Sequence, residues 1–134
     1  NLKIKSAIKS GLKIIFCIGE TLKEKRNKKT NQVLAKQIKN CLKSIKNKSN
    51  IIIAYEPVWS IGTGLIPRFE DLSKSVLFIK NKFSKKSPKI LYGGSVSSNN
   101  IAQLKDINNL DGFLIGGASQ NSKKFIDIIK KTYN

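Results

Sequence analysis

The 134-residue sequence has no histidine, no methionine, two cysteines and, among 26 basic residues, only the arginines Arg26 and Arg68. Cys17 and Cys41 are too few and too isolated for a disulfide framework, and with no histidine to join them they make no zinc site. A reduced, cytoplasmic protein without a metal or cofactor is expected. No apolar run approaches the length of a membrane span, and Asn1-Leu2-Lys3-Ile4-Lys5 is not a secretory signal, so no membrane partner is expected. The missing methionine, even at position 1, points to a processed N-terminus or to a piece of something longer. The scarcity of arginine qualifies the net charge of +18, which on its own invites a nucleic-acid reading. A surface built to grip phosphates and base edges uses the guanidinium fork. The lysines here are instead scattered through every candidate helix beside Asn, Ile and Ser, a compositional bias without a patterned face. No specific nucleic-acid partner is expected, only salt-sensitive attraction to polyanions.

What is present is a globular domain's worth of apolar sequence, 40% of the chain. Leu2 to Ser10 carries apolar residues at helical spacing and stops at Gly11. Lys13-Ile14-Ile15-Phe16-Cys17 has the unbroken hydrophobicity of a strand buried on both faces. Ile18-Gly19-Glu20 and a polar, lysine-rich loop follow, then a helix from about Thr30 with Leu34, Ile38, Cys41, Leu42 and Ile45 on one face. A second strand begins at Ile51. A helix from about Arg68 has Phe69, Leu72, Val76, Ile79 and Phe83 as its inner stripe. A third strand, Lys89-Ile90-Leu91-Tyr92, precedes a short helix bearing Ile101 and Leu104, and a fourth, Gly112-Phe113-Leu114-Ile115, precedes a last helix with Phe125, Ile126 and Ile129. Strand, loop and helix alternating in this way imply an α/β fold, a parallel sheet with right-handed crossovers.

In such sheets functional groups gather on the loops that leave the C-terminal strand ends. Those loops are Cys17-Ile18-Gly19-Glu20, Glu56 to Gly64, Gly93-Gly94-Ser95 and Gly116-Gly117. The second is the most informative. Ile51-Ile52-Ile53-Ala54-Tyr55 delivers Glu56 to a loop that continues Pro57-Val58-Trp59-Ser60-Ile61-Gly62-Thr63-Gly64. A glutamate ending a strand is commonly a cap or a surface charge. Here a proline fixes the backbone after it, a tryptophan can pack the loop's base, and glycines form its tip, the chemistry of a hinged lid over a general base. A glycine pair after a strand is by itself commonly a tight turn. Two pairs on one edge, beside a flexible tip, suggest a phosphate pocket closed by backbone N–H groups.

These segments carry a resemblance. Ala54 to Gly64 is similar to the lid segment of triosephosphate isomerases. Leu91-Tyr92-Gly93-Gly94-Ser95-Val96 and Asp111-Gly112-Phe113-Leu114-Ile115-Gly116-Gly117-Ala118-Ser119 resemble that family's two phosphate-binding segments, and Cys17-Ile18-Gly19-Glu20 matches a fourth, all in order. The resemblance implies the C-terminal half of a (β/α)₈ barrel, with four parallel strands over residues 1–134. It implies that Glu56 moves a proton between adjacent carbons of a triose phosphate. Gly62, Ser95, Gly116 and Gly117 would contact the phosphate, and Pro57, Val58 and Trp59 would form the lid's first hinge, with Ile61, Thr63 and Gly64 in its tip. Tyr92 and Ser95 would hold the closed lid, Glu20 would lie near Trp59, and Cys17 would be a buried residue supporting the base, without a nucleophilic part. No cofactor is implied, and the complete parent would be a homodimer.

The departures are as informative. The family's barrel is about twice this length, and its first half supplies a substrate-binding lysine, an electrophilic histidine and the principal dimer loop, none of which has a counterpart here. Ser60 stands where alanine is usual, an exchange expected to be neutral. Lys80 falls about where an arginine often pairs with the residue equivalent to Asp111, and a point charge there would weaken a structural pair. Half a barrel leaves strand edges and apolar faces uncovered, so poor solubility or self-association is expected. Alternatives are a non-catalytic phosphate-binding half-barrel and a basic nucleic-acid-binding domain.

Overall fold

Residues 1–83 and 87–133 are described by a computed structural model of the chain. Four short strands, β1 (Ile14–Ile18), β2 (Ile51–Tyr55), β3 (Ile90–Tyr92) and β4 (Gly112–Phe113), lie in the order β1-β2-β3-β4, every neighbouring pair parallel. Parallel neighbours require crossovers. These are provided by α2 (Leu22–Arg26) with α3 (Thr30–Leu42), then α4 (Phe69–Lys80), then α5 (Ile101–Leu104); α1 (Leu2–Lys9) precedes the sheet and α6 (Ser122–Tyr133) follows it. The sheet is open, and four parallel βα units are the expected half of a barrel.

The register sorts the strand residues onto two faces. Phe16 pairs with Ile53 and Ile53 with Ile90; one step along, Cys17 pairs with Ala54 and Ala54 with Leu91. The first set, with Ile51, Tyr55 and Tyr92, packs on Leu34 and Ile38 of α3, Leu72, Val76 and Ile79 of α4, and Ile101 and Leu104 of α5. Ile53, Ile90 and Tyr92 reach 0% exposure there. The second face is largely uncovered: Ile15 is 47% exposed, Cys17 is exposed, and Ile52 and Leu91 are half-buried. The expectations that β1 is buried on both faces and that Cys17 is buried therefore fail, because Ile15 and Cys17 lie open on this face even though Ala54 beside them on β2 is fully buried.

Other differences have local causes. Residues 22–26, read as part of a loop, form α2, because Thr21 and Glu24 make a reciprocal capping box: the Glu24 carboxylate accepts the Thr21 N–H at 2.8 Å and Thr21 Oγ1 accepts the Glu24 N–H at 3.3 Å. α3 ends at Leu42, so Ile45 is buried from the following turn rather than from the helix. Phe69, assigned to the inner stripe of α4, is exposed at its first turn, and Phe83 packs on the core from beyond its end. β4 stops at Phe113, two residues early, although the Leu114 N–H still reaches the Tyr92 carbonyl at 2.9 Å. Asp111 accepts the Ile90 N–H at 2.8 Å. Among the described residues the one ion pair is Arg68–Asp71, so no Lys80–Asp111 bridge forms. No helix among the described residues is long and apolar enough to cross a membrane.

The uncovered face generates the first prediction. Association through Ile15 and its neighbours should be opposed by the repulsion of an +18 chain, and so should increase with salt. Sedimentation velocity should show larger species at about 0.5 M than at about 0.05 M salt, and Ile15→Asp should return the chain towards monomer with unchanged circular dichroism. A monomer at both salt concentrations would refute it. Ile53→Ala, on the covered face, should instead lower stability by about 2–5 kcal/mol in urea denaturation.

Candidate active site

The alternation of β2 turns Tyr55 towards the helices and carries Glu56 to the open face. Three backbone bonds pin this point: Glu56 N–H to the Ile18 carbonyl at 2.7 Å, Gly93 N–H to the Tyr55 carbonyl at 2.9 Å, and Val58 N–H to the Glu20 carbonyl at 3.0 Å. Glu56 is half-buried. Its carboxylate lies so close to Gly93 that a Cβ there would stand 2.6 Å from Glu56 Oε1, so any side chain at position 93 would displace the carboxylate. Across β1 the Cys17 thiol meets the same carboxylate. Partial withdrawal from water pushes this thiol up to about 12, and the nearby Glu56 carboxylate acts in the same direction. Cys17 is therefore a protonated neighbour of the acid, without nucleophilic character at neutral pH.

Glu20 is 1% exposed. Its carboxylate accepts the Tyr55 hydroxyl at 3.0 Å and the Trp59 indole N–H at 3.0 Å, so a buried charge is matched by two donors. Burial, reinforced by the Glu20 charge, raises the Tyr55 hydroxyl above its ordinary range and keeps it a donor. The Lys25 ammonium sits 3.9 Å from the centroid of the Trp59 ring, a cation–π contact that caps the indole. Gln37 of α3 brackets Gly19, accepting its N–H and donating to its carbonyl, each at 3.0 Å. Lys25 and Gln37 were missed in the sequence because a lysine among lysines and a glutamine on a helix carry no local signal.

The loop after β2, the candidate lid, leaves this anchor. Pro57 is buried at φ −54°, and Val58–Ser60 form a single 3₁₀ turn. Val58 and Ile61 are about half exposed. Gly62 and Gly64 lie at φ +69° and +79°, where a side chain would be strained. Thr63 Oγ1 donates to the Trp59 carbonyl at 3.0 Å and accepts the Leu65 N–H at 3.2 Å, stapling the tip. The Gly64 N–H donates to Ser95 Oγ at 2.9 Å, Ser95 Oγ donates to the Ser60 carbonyl at 2.6 Å, and Tyr92 Oη lies 2.9 Å from Ser60 Oγ. Asn100 holds the Ser95 segment from behind, donating to the Ser95 carbonyl at 2.8 Å and accepting the Ser97 N–H at 2.9 Å.

Gly116 and Gly117 follow β4 at the same sheet edge, exposed, with nothing within 4 Å of a Cβ built on either. Their turn is tightened by Ser119 Oγ donating to the Gly116 carbonyl at 2.6 Å. Among the described residues no hydrogen bond joins this turn to the lid. Glu20, Glu56, Trp59, Gly64, Tyr92 and Ser95 thus form one connected constellation, and the glycine pair stands beside it. No cluster of His, Cys, Asp or Glu suited to a metal occurs among the described residues. Two cavities lie elsewhere, one of about 610 Å³ beneath α6 and one of about 1020 Å³ at the N-terminal strand edge between Lys13, Lys43 and Lys89. Neither includes Glu56.

The chain matches the family profile described as Triosephosphate isomerase over residues 1–132. It is 46% identical to a triosephosphate isomerase of Thermodesulfovibrio yellowstonii, over 97% of this chain and 55% of that protein. It is 44% identical to one of Candida albicans, over 96% of this chain and 54% of that protein, and 43% identical to one of Saccharomyces cerevisiae, over 95% and 54%. The chain therefore spans about half the length of the curated relatives it matches.

The Cys17–Glu56 contact gives a pH prediction. A thiol raised above its usual value stays protonated longer, so the alkylation rate of Cys17 should keep rising past pH 9.0 towards an inflection near 12. Glu56→Gln should lower that inflection by removing the charge that opposes the thiolate. An inflection unchanged in Glu56→Gln would separate the two side chains.

Proposed function

The chain belongs to the triosephosphate isomerase family, and we propose that it supplies the base, the lid and the phosphate turns of an enzyme interconverting dihydroxyacetone phosphate and glyceraldehyde 3-phosphate. The observation that carries this reading is Glu56 itself. Its carboxylate stands at the C-terminal end of central strand β2, against Gly93, at the foot of a lid bonded to Ser95. In this reading the carboxylate removes a proton from carbon 1 of the ketose while the carbon-2 oxygen takes one up, giving an enediol; the same carboxyl then returns its proton to carbon 2 as the carbon-1 hydroxyl gives one up and becomes the aldehyde of the aldose. Closure of Pro57–Gly64 would exclude water and strengthen the charge interactions of the step.

The phosphate would be held by backbone N–H groups of Gly62, Gly116 and Gly117, where the absence of side chains leaves open space. Ser95 would contribute its own N–H, which is only loosely engaged at 3.5 Å from Ser60 Oγ, because its hydroxyl is committed to the lid. The family's lysine and electrophilic histidine have no counterpart in a chain with no histidine. They would come from the first half of a complete barrel, which in this reading also forms the homodimer.

Three measurements test this reading. The isolated 134 residues should show no turnover, and robust isomerisation by them would overturn the half-site assignment. A first-half polypeptide carrying the lysine and histidine should restore activity, and Glu56→Gln should then reduce it by about 10²–10⁴-fold. Weak binding of a triose-phosphate analogue to the isolated chain should be lost in Gly116→Asp. Steep salt dependence with no response to the analogue would favour a polyanion-binding domain instead.

A further inference from the structure

Ser60, where the resemblance leads one to expect alanine and a neutral exchange, lies at the centre of the lid's attachment. It is 0% exposed. A hydroxyl has one proton and two acceptor sites, and all three are engaged. Ser60 Oγ donates to the Leu65 carbonyl at 2.5 Å, lies 2.9 Å from the Tyr92 hydroxyl, and receives the Ser95 N–H at 3.5 Å. The Leu65 carbonyl can only accept, so the single Ser60 proton goes there and Tyr92 is the donor of the second bond. The Ser60 carbonyl in turn accepts Ser95 Oγ–H at 2.6 Å. One residue therefore ties the lid's two arms, at Ser60 and Leu65, to each other and to the loop leaving β3. Gly94 leaves the room: a Cβ there would lie 2.5 Å from Ser60 Oγ and would overlap the Tyr92 hydroxyl.

We propose that Ser60 is a lid-positioning residue, whose hydroxyl holds Pro57–Gly64 docked on Tyr92 and Ser95 before any phosphate arrives. This rests on the reading of that segment as the lid of a phosphate site. Alanine at position 60 removes the hydroxyl that joins Leu65 to Tyr92, and among the described residues it takes away the hydrogen-bond partner of a buried tyrosine hydroxyl. A lid docked in advance binds phosphate without first spending affinity on ordering itself.

Hydrogen exchange read by mass spectrometry on the 134-residue chain tests this without a ligand. Exchange in a peptide covering residues 59–66 should be about tenfold faster in Ser60→Ala, while a peptide covering β2 is unchanged. Ser60→Thr, which keeps the hydroxyl, should restore protection. Tyr92→Phe, which removes one of the three bonds of the Ser60 hydroxyl, should accelerate exchange by less than Ser60→Ala, and the double variant should be no faster than Ser60→Ala alone. Acceleration of both peptides alike, or none in the lid, would overturn the proposal. Titration with a triose-phosphate analogue adds a second readout, in which affinity should fall several-fold in Ser60→Ala and recover in Ser60→Thr. Equal affinity in all three would overturn the advance-docking role. If the unsubstituted chain binds no analogue yet shows the exchange pattern, the phosphate-site reading fails and the Ser60 attachment stands.

Discussion

A carboxylate taken out of water must find donors, and the way Glu20 finds them arranges the C-terminal edge of the sheet around it. An unpaired buried charge costs several kcal/mol, and Glu20 is 1% exposed. Its two donors come from different places: Tyr55 closes β2, and Trp59 opens the lid. Burying Glu20 therefore requires the loop after β1, the end of β2 and the first turn of the lid to adopt one arrangement together. Glu56 lies between Tyr55 and Trp59 in sequence, so that arrangement also aims the candidate base. Lys25 over the indole and Gln37 around Gly19 hold the two sides of the same joint.

The sheet beneath has two unequal faces, and the inequality separates stability from function. The face towards α3, α4 and α5 carries Ile53, Ile90 and Tyr92 at 0% exposure and provides the burial that holds the fold. The concave face carries Ile15, Cys17, Ile52 and Leu91 with little cover, and Glu56 rises from that side. A carboxylate partly walled by Gly93 and Cys17 is open where a complete barrel would close it. The surplus of positive charge adds little to internal order, since Arg68–Asp71 is the one ion pair among the described residues and is solvent-exposed on the arginine side.

Strong local patterns were legible. Ile51–Tyr55 is a strand with the residues assigned to it, α3 starts at Thr30, and α4 starts within a residue of Arg68. These rest on hydrophobic periodicity and terminal signals that act over a few residues. The Thr21–Glu24 capping box was equally local and was overlooked beneath the lysines around it. The second face of β1, the exposure of Phe69 and the burial of Ile45 from outside a helix were not legible, because each depends on which element passes overhead.

The order of the elements and the residue types at the strand ends came from the chain alone: a glutamate before a proline, a tryptophan after it, and glycines where backbone must turn or approach closely. Steric and conformational preferences of that kind act between near neighbours, so they can be read without coordinates. Partnership was decided in three dimensions. That Glu20 accepts from Tyr55 and Trp59, that Ser95 holds Gly64, and that an unremarkable Ser60 bonds Tyr92 all depend on contacts between segments far apart in sequence. Hydrogen bonds hold to within a few tenths of an ångström, and residues 30 or more apart in sequence reach that distance only when the parallel sheet brings its C-terminal edges together.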